Sequence, residues 1–278
     1  MNELPNPVAQ LRFEHIEECM GTVFRFAGQR QVGASELDAL IQKACAILHE
    51  ADRIFSLYKP ESPLSRLARG EARVADLEPV VSEIWDSCQL WETETDGWFS
   101  AFTPERIFDP SGLVKTWAAR NAARALLDGG QSDFTLNAGG DVYVAPGASD
   151  DRDWRIAIST PVSIASAEAG VLTVVDLKNT SMNSLATSGT AERGQHIWNP
   201  KNYDFASAGQ ALGANEKIVQ VSVIASDLVE ADVLATASFA EGIRAIERLN
   251  ARTNVEALFV TDTGQFAATD GFLNLLAK

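Results

Sequence analysis

Asp232 and Thr236 stand four residues apart in SDLVEADVLATASF, so on a helix their side-chain oxygens project from one face. A carboxylate and a hydroxyl placed in this way form part of a site for a hard cation, magnesium above all, which takes few protein ligands and keeps its waters. The same spacing also suits an ordinary helix in which the threonine bonds the carbonyl four residues back. In FDPSGLVKTWAARNA, Asp109, Pro110, Ser111 and Gly112 read as a turn, and Lys115 falls in the first turns of the helix that follows. Free N–H groups at a helix start with a lysine beside them favour a phosphate. A plain helix capped by Asp109 or Ser111, with Lys115 in solvent, fits the spacing as well.

Residues 186–200, ATSGTAERGQHIWNP, gather small residues, two glycines and His196, which reads as a loop and not as a helix or core strand. An imidazole titrates near neutrality, so His196 is a candidate to accept a proton from an attacking alcohol. Thr187, Ser188 and Gly189 offer hydroxyls and backbone donors nearby. Ser188 lacks the G-x-S-x-G setting of a strained nucleophile elbow. The pair Gly139-Gly140 in LNAGGDVYV reads as a bulge or a close backbone approach within one strand over 133–144. Neither G-x-x-x-x-G-K-[ST] nor G-x-G-x-x-G occurs, which excludes the standard nucleotide loops.

The elements that must position these groups follow from hydrophobic periodicity. Strands are expected over 11–20 and 22–26 with a break at Gly21, then a helix over 35–55 capped by Ser35, and another over 79–93 stopped by Gly97. A third helix covers 114–127, and further strands 154–159, 171–177 and 217–226. The span 227–249 is helical with a break near Gly242, and strands over 255–261 and 265–269 close as a hairpin. Meandering strands mixed with long helices indicate an α+β fold.

A chain of 278 residues with 46% hydrophobic content can bury a large core, and a single domain over 1–278 is expected. It carries 23 Lys and Arg against 38 Asp and Glu, a formal charge of -15, which argues against a nucleic-acid partner. No run of about eighteen apolar residues suggests a membrane span. The acidic start lacks the features of a secretory signal, so a cytoplasmic location is expected. Cys19, Cys45 and Cys88 form no Cys-x-x-Cys pair and read as buried free thiols.

Six motifs in order resemble the ApbE family of FAD:protein FMN transferases: MGT at 20–22, FSLYKPESPLSRL at 55–67, DPSGLVK at 109–115, NAGGD at 137–141, ATSG with ERGQHIWNP in 186–200, and ADVLATA at 231–237. The resemblance spans about residues 16–264. It implies mixed or antiparallel sheets with packed helices forming two lobes around an FAD cleft. It assigns magnesium to Asp232, Thr236 and the carbonyl of Gly112, so that the regular helix begins later than Pro110. Contacts to FAD fall on Met20, Gly21, Thr22, Asp109, Lys115, Gly140, Asp141, Thr187, Ser188 and Gly189, with Tyr58 stacking on the adenine. Catalytic roles fall on His196, Lys115 and Asp232.

The implied reaction moves FMN from FAD to a Thr or Ser hydroxyl of an acceptor flavoprotein and releases AMP. A magnesium-dependent FAD pyrophosphatase and a non-catalytic FAD-binding protein are the alternatives. Two positions depart from the family pattern: Thr116, where members usually have glycine, and Arg120, where aspartate is common.

Overall fold

The computed structural model describes residues 12–145, 147, 155–161, 163–164, 170–178, 180–189, 197–201 and 217–277. Its frame is an eight-stranded sheet in the order β1-β2-β3-β4-β7-β8-β9-β10, with a separate pair β5-β6. The strands are β1 (Arg12–Cys19), β2 (Thr22–Gln29), β3 (Phe134–Ala138), β4 (Asp141–Val144), β5 (Arg155–Ser159), β6 (Val171–Asp176), β7 (Ser184–Gly189), β8 (Ile218–Ala225), β9 (Val255–Thr261) and β10 (Phe266–Ala268). Every pairing among them is antiparallel. The helices are α1 (Ala34–Phe55), α2 (Pro63–Ala68), α3 (Pro79–Glu94), α4 (Ser111–Asp128), α5 (Leu228–Glu241) and α6 (Ala245–Asn250).

The α+β expectation holds, and most elements fall within a few residues of their expected bounds. Ser35 is not a cap: α1 starts at Ala34 from an N-cap at Gly33 that makes no side-chain cap bond. The expected single strand over 133–144 is two strands. Gly139 and Gly140, at φ +61° and +100°, form the two-residue turn of a hairpin that pairs Ala138 with Asp141. This double positive φ suits glycine as it suits few other residues. A side chain at Gly139 would also collide with Thr22, on the neighbouring β1–β2 hairpin.

The reading of 186–200 as loop is corrected over its first four residues. Ala186 to Gly189 end β7 and pair with β8 from Val223 to Gln220. Gly189 is fixed by packing, since a Cβ there would lie 2.6 Å from the Val219 carbonyl oxygen.

Helix α5 is buried nearly all round, as a helix held inside a core must be. It lies on β7 and β8 and against α4, which in turn packs on α1. The α4 face is largely alanine, with Ala118, Ala119, Ala122, Ala123 and Ala125 buried, and these small side chains let the helices approach closely. One core gathers α1, α3, α4 and β2–β3; a second lies between α5, α6 and β8–β9. No described helix is long and apolar enough to cross a membrane.

Candidate active-site cleft

Between α4, α5 and the sheet lies a cleft of about 760 Å³. Its lining includes Tyr58, Asp109, Gly112, Lys115, Gly140, Thr187, Ser188, Gly189, Asp232 and Thr236, residues drawn from regions far apart in the chain. Met20 and Gly21 form the β1–β2 turn and Thr22 opens β2, beside the Gly139-Gly140 turn at the same end of the sheet, as the Gly139 amide donating to the Val23 carbonyl at 3.0 Å shows. His196 lies outside the described residues.

The cleft floor is a charge network. The Lys115 ammonium donates to the Asp141 carboxylate and stands 3.8 Å from Asp232 Oδ2. Asp141 is 2% exposed and Asp232 5%, so both carboxylates share this cation in a setting poor in water. Asp141 also accepts from the Thr187 amide at 3.1 Å, which ties β7 to β4. Buried charges need such partners, because desolvation otherwise costs several kcal/mol per ion. Lys115 is therefore not a solvent-facing lysine of a plain capped helix.

Beside this network, Thr236 Oγ1 lies 3.1 Å from Ser188 Oγ, one turn along α5 from Asp232. The α5 N-terminus is fixed by Asp227, whose carboxylate accepts from the amides of Val229 and Glu230. Asp232 and Thr236 thus project from a helix whose start and axis are held. The Asp232 carboxylate and the Thr236 and Ser188 hydroxyls offer oxygen donors, with Gly112 in the same cleft lining, and hard oxygen donors are what magnesium selects. The residues present therefore fit the ion that the motif pattern implies.

The helix start at Ser111 agrees with a beginning later than Pro110, although it precedes the expected 114. Asp109 accepts from the Ser111 amide at 3.0 Å, and the Leu113 and Val114 amides both reach the Pro110 carbonyl at 2.9 Å. These three first-turn donors already have protein acceptors, so a phosphate here would rely on Lys115 and the glycine turn more than on the helix start.

Both departures from the motif pattern have structural places. Thr116 is fully buried, and its hydroxyl lies 2.9 Å from Asp232 Oδ2 and 3.1 Å from the Leu113 carbonyl, either of which can accept its proton. It stands behind the carboxylate and not in the ligand space. Arg120 donates to both oxygens of Asp227, at 3.2 and 3.0 Å, and so clamps α4 to the cap of α5.

Sequence reasoning missed the aromatic wall. Trp98, Phe99 and Trp198 line the cleft, as do the aliphatic Ile197 and the polar Ser159 and Gln220, the last donating to the Ser159 carbonyl at 3.1 Å. The signal for part of it was present: Trp98-Phe99 follows the helix-stopping Gly97 directly. Tyr58, 98% exposed, stands at the lip as a ring available for stacking.

The model of the ApbE family matches residues 101–259, a span that contains α4, the glycine turn, β7 and α5. No curated protein sequence matches the chain. Among solved structures, the ApbE protein of Thermotoga maritima superposes with a TM-score of 0.77 at 17% identity, covering 96% of this chain and 100% of that one. The flavin transferase ApbE of Vibrio cholerae gives 0.75 at 19%, covering 96% and 99%. The flavinyl transferase ApbE of Pseudomonas stutzeri gives 0.75 at 19%, covering 95% and 96%. At such identities these likenesses establish the shared fold.

Proposed function

Because this chain belongs to the ApbE family, we propose that it is a magnesium-dependent FAD:protein FMN transferase, acting as a single domain in the cytoplasm on an acceptor flavoprotein that presents a Thr or Ser. One observation carries the reading: Asp232, Thr236, Gly112, Lys115, Gly140 and Ser188, from four separate motifs, line one cleft of about 760 Å³ walled by aromatic rings. Two solved relatives of the same fold are named as flavin transferases.

The roles follow from the groups present. Trp98, Phe99 and Trp198 offer apolar surface to the flavin, and Tyr58 a ring to the adenine. The acceptor hydroxyl attacks the phosphorus on the FMN side of FAD. The new P–O bond forms as the bond to the AMP oxygen breaks, and AMP leaves with that electron pair. His196 takes the hydroxyl proton. Lys115, oriented by Asp141, sets a fixed positive charge against the diphosphate, and Thr116 orients the Asp232 carboxylate. Asp232, Thr236 and the Gly112 carbonyl would hold magnesium, which supplies charge neutralisation on the non-bridging oxygens.

The test is incubation with FAD and magnesium, with and without an acceptor. AMP released only with acceptor, together with flavin fluorescence on the denatured acceptor, is the expected result. AMP formed equally without acceptor makes the enzyme a pyrophosphatase, and FAD binding without AMP makes it a carrier. Asp232→Ala is expected to cut turnover by about 10²-fold or more while the chain still folds by circular dichroism.

A further inference from the structure

The α1 face of β1 carries an unusual set of side chains. Along β1 the burial alternates, so His15, Glu17 and Cys19 share the inward face, and on α1 Cys45 and His49 are one turn apart. Two of the chain's three histidines and two of its three cysteines therefore meet in one strand–helix seam, where apolar residues would ordinarily pack. His15 Nε2 is 3.2 Å from Glu17 Oε2 and 3.3 Å from Cys45 Sγ, and all three ligand atoms lie within 4.8 Å of one another. His49 Nε2 reaches the other Glu17 oxygen at 2.7 Å, and its Nδ1 lies 3.5 Å from Cys19 Sγ.

We propose that His15 Nε2, the Glu17 carboxylate and Cys45 Sγ form a binding site for a borderline-soft divalent ion of the zinc class, separate from the flavin cleft. A tetrahedral zinc ion with ordinary bond lengths sets its nitrogen and oxygen ligands about 3.3 Å apart and nitrogen and sulfur about 3.6 Å apart. The two measured edges are within a few tenths of these values. Mixed imidazole, thiolate and carboxylate donors select zinc or cobalt over magnesium. His49 orients the carboxylate from its far oxygen, with Cys19 on its second ring nitrogen, the outer support that metal-binding side chains commonly have. The His15 and His49 side chains are 38% and 53% exposed, which leaves an entry path from solvent.

The ion would clamp β1 onto α1, immediately before the Met20-Gly21 turn at the sheet end. Cys45 would bind as the thiolate, so binding releases its proton.

The test uses the full chain, kept reduced, with one equivalent of Co²⁺ or Zn²⁺. The expected result is one retained cobalt per chain with a thiolate-to-cobalt charge-transfer band. The band should persist in Asp232→Ala, vanish in Cys45→Ser, and shift or weaken at least tenfold in affinity in His15→Asn, should Cys45→Ser not fold. FMN transfer by Cys45→Ser should match the wild type. A reduced wild-type chain that retains no cobalt after gel filtration at pH 8, or a band that survives Cys45→Ser, overturns the proposal. An ion lost with Asp232→Ala assigns the metal to the cleft and overturns it too.

Discussion

The cleft and the β1–α1 seam are both built where side chains of a strand meet those of a helix, and both gather groups that are costly to bury. They differ in donor chemistry. The cleft presents Asp232, Thr236 and Ser188 oxygens with the Lys115 ammonium, a set for a hard cation and a diphosphate. The seam presents imidazole nitrogen and thiol sulfur with one carboxylate. They differ also in depth, since Asp141 and Asp232 are nearly sealed whereas the seam's histidines reach solvent. The lesson is that burial alone does not define a site. The class of atom brought together decides what can bind, and partnering decides what survives in the core.

Substitutions at two cleft residues probe that contrast, and a third, at a buried thiol outside both regions, is its reference. The largest effect is expected for Lys115→Met, which removes the cation that the cleft carboxylates share. Transfer should fall about 10³-fold, and urea unfolding should show about 3–5 kcal/mol lost because Asp141 stays buried without its ammonium. Adding Asp141→Asn should restore much of the stability and none of the turnover. Recovery of turnover would make Lys115 a purely structural residue. Cobalt binding at the seam should not change in either variant.

A smaller effect is expected for Thr116→Val, which keeps the shape and removes the hydroxyl behind Asp232. Stability should drop by about 1–3 kcal/mol and the magnesium requirement should rise several-fold, with Thr116→Ser recovering both. Unchanged magnesium dependence would show that the hydroxyl does not orient the carboxylate.

The smallest effect uses Cys88, the third cysteine, which lies on α3 away from the seam. Burial pushes its thiol from 9.0 up to about 12, with Glu92 and Asp109 adding to the rise. A thiol whose folded pKa is raised stabilises the fold fully below its unfolded pKa and loses that contribution as pH climbs from about 9 towards 12. One unit above the unfolded value the loss is about 1.4 kcal/mol. Cys88→Ala should flatten the alkaline decline in unfolding free energy by that amount, and an unchanged slope would assign the decline to other groups.

Much of the fold was legible because periodicity is local. The long helices α1, α3 and α5, the break at Gly242 and the closing hairpin are encoded in patterns a few residues long. The β3–β4 hairpin was misread because a glycine pair bends or bulges a strand with equal ease, and only the pairing of Ala138 with Asp141 chooses. The end of strand β7 was misread because Ala186 and Gly189 are poor strand formers. The state of Ala186 to Gly189 is set by pairing with β8 and by Asp141 on the Thr187 amide, a tertiary context that outweighs local preference.

By itself the sequence determined which side chains exist to do chemistry and the order in which they come: the Asp232–Thr236 spacing, Lys115 near a helix start, and the break at Gly21. These follow from helix and turn geometry within a few residues. Only the tertiary structure decided that Lys115 faces Asp141, that Thr116 stands behind Asp232, and that His15, Glu17 and Cys45 share a seam. Each of those meetings joins residues distant in the chain, and the packing of helix on sheet, not spacing along the backbone, sets the distance between them.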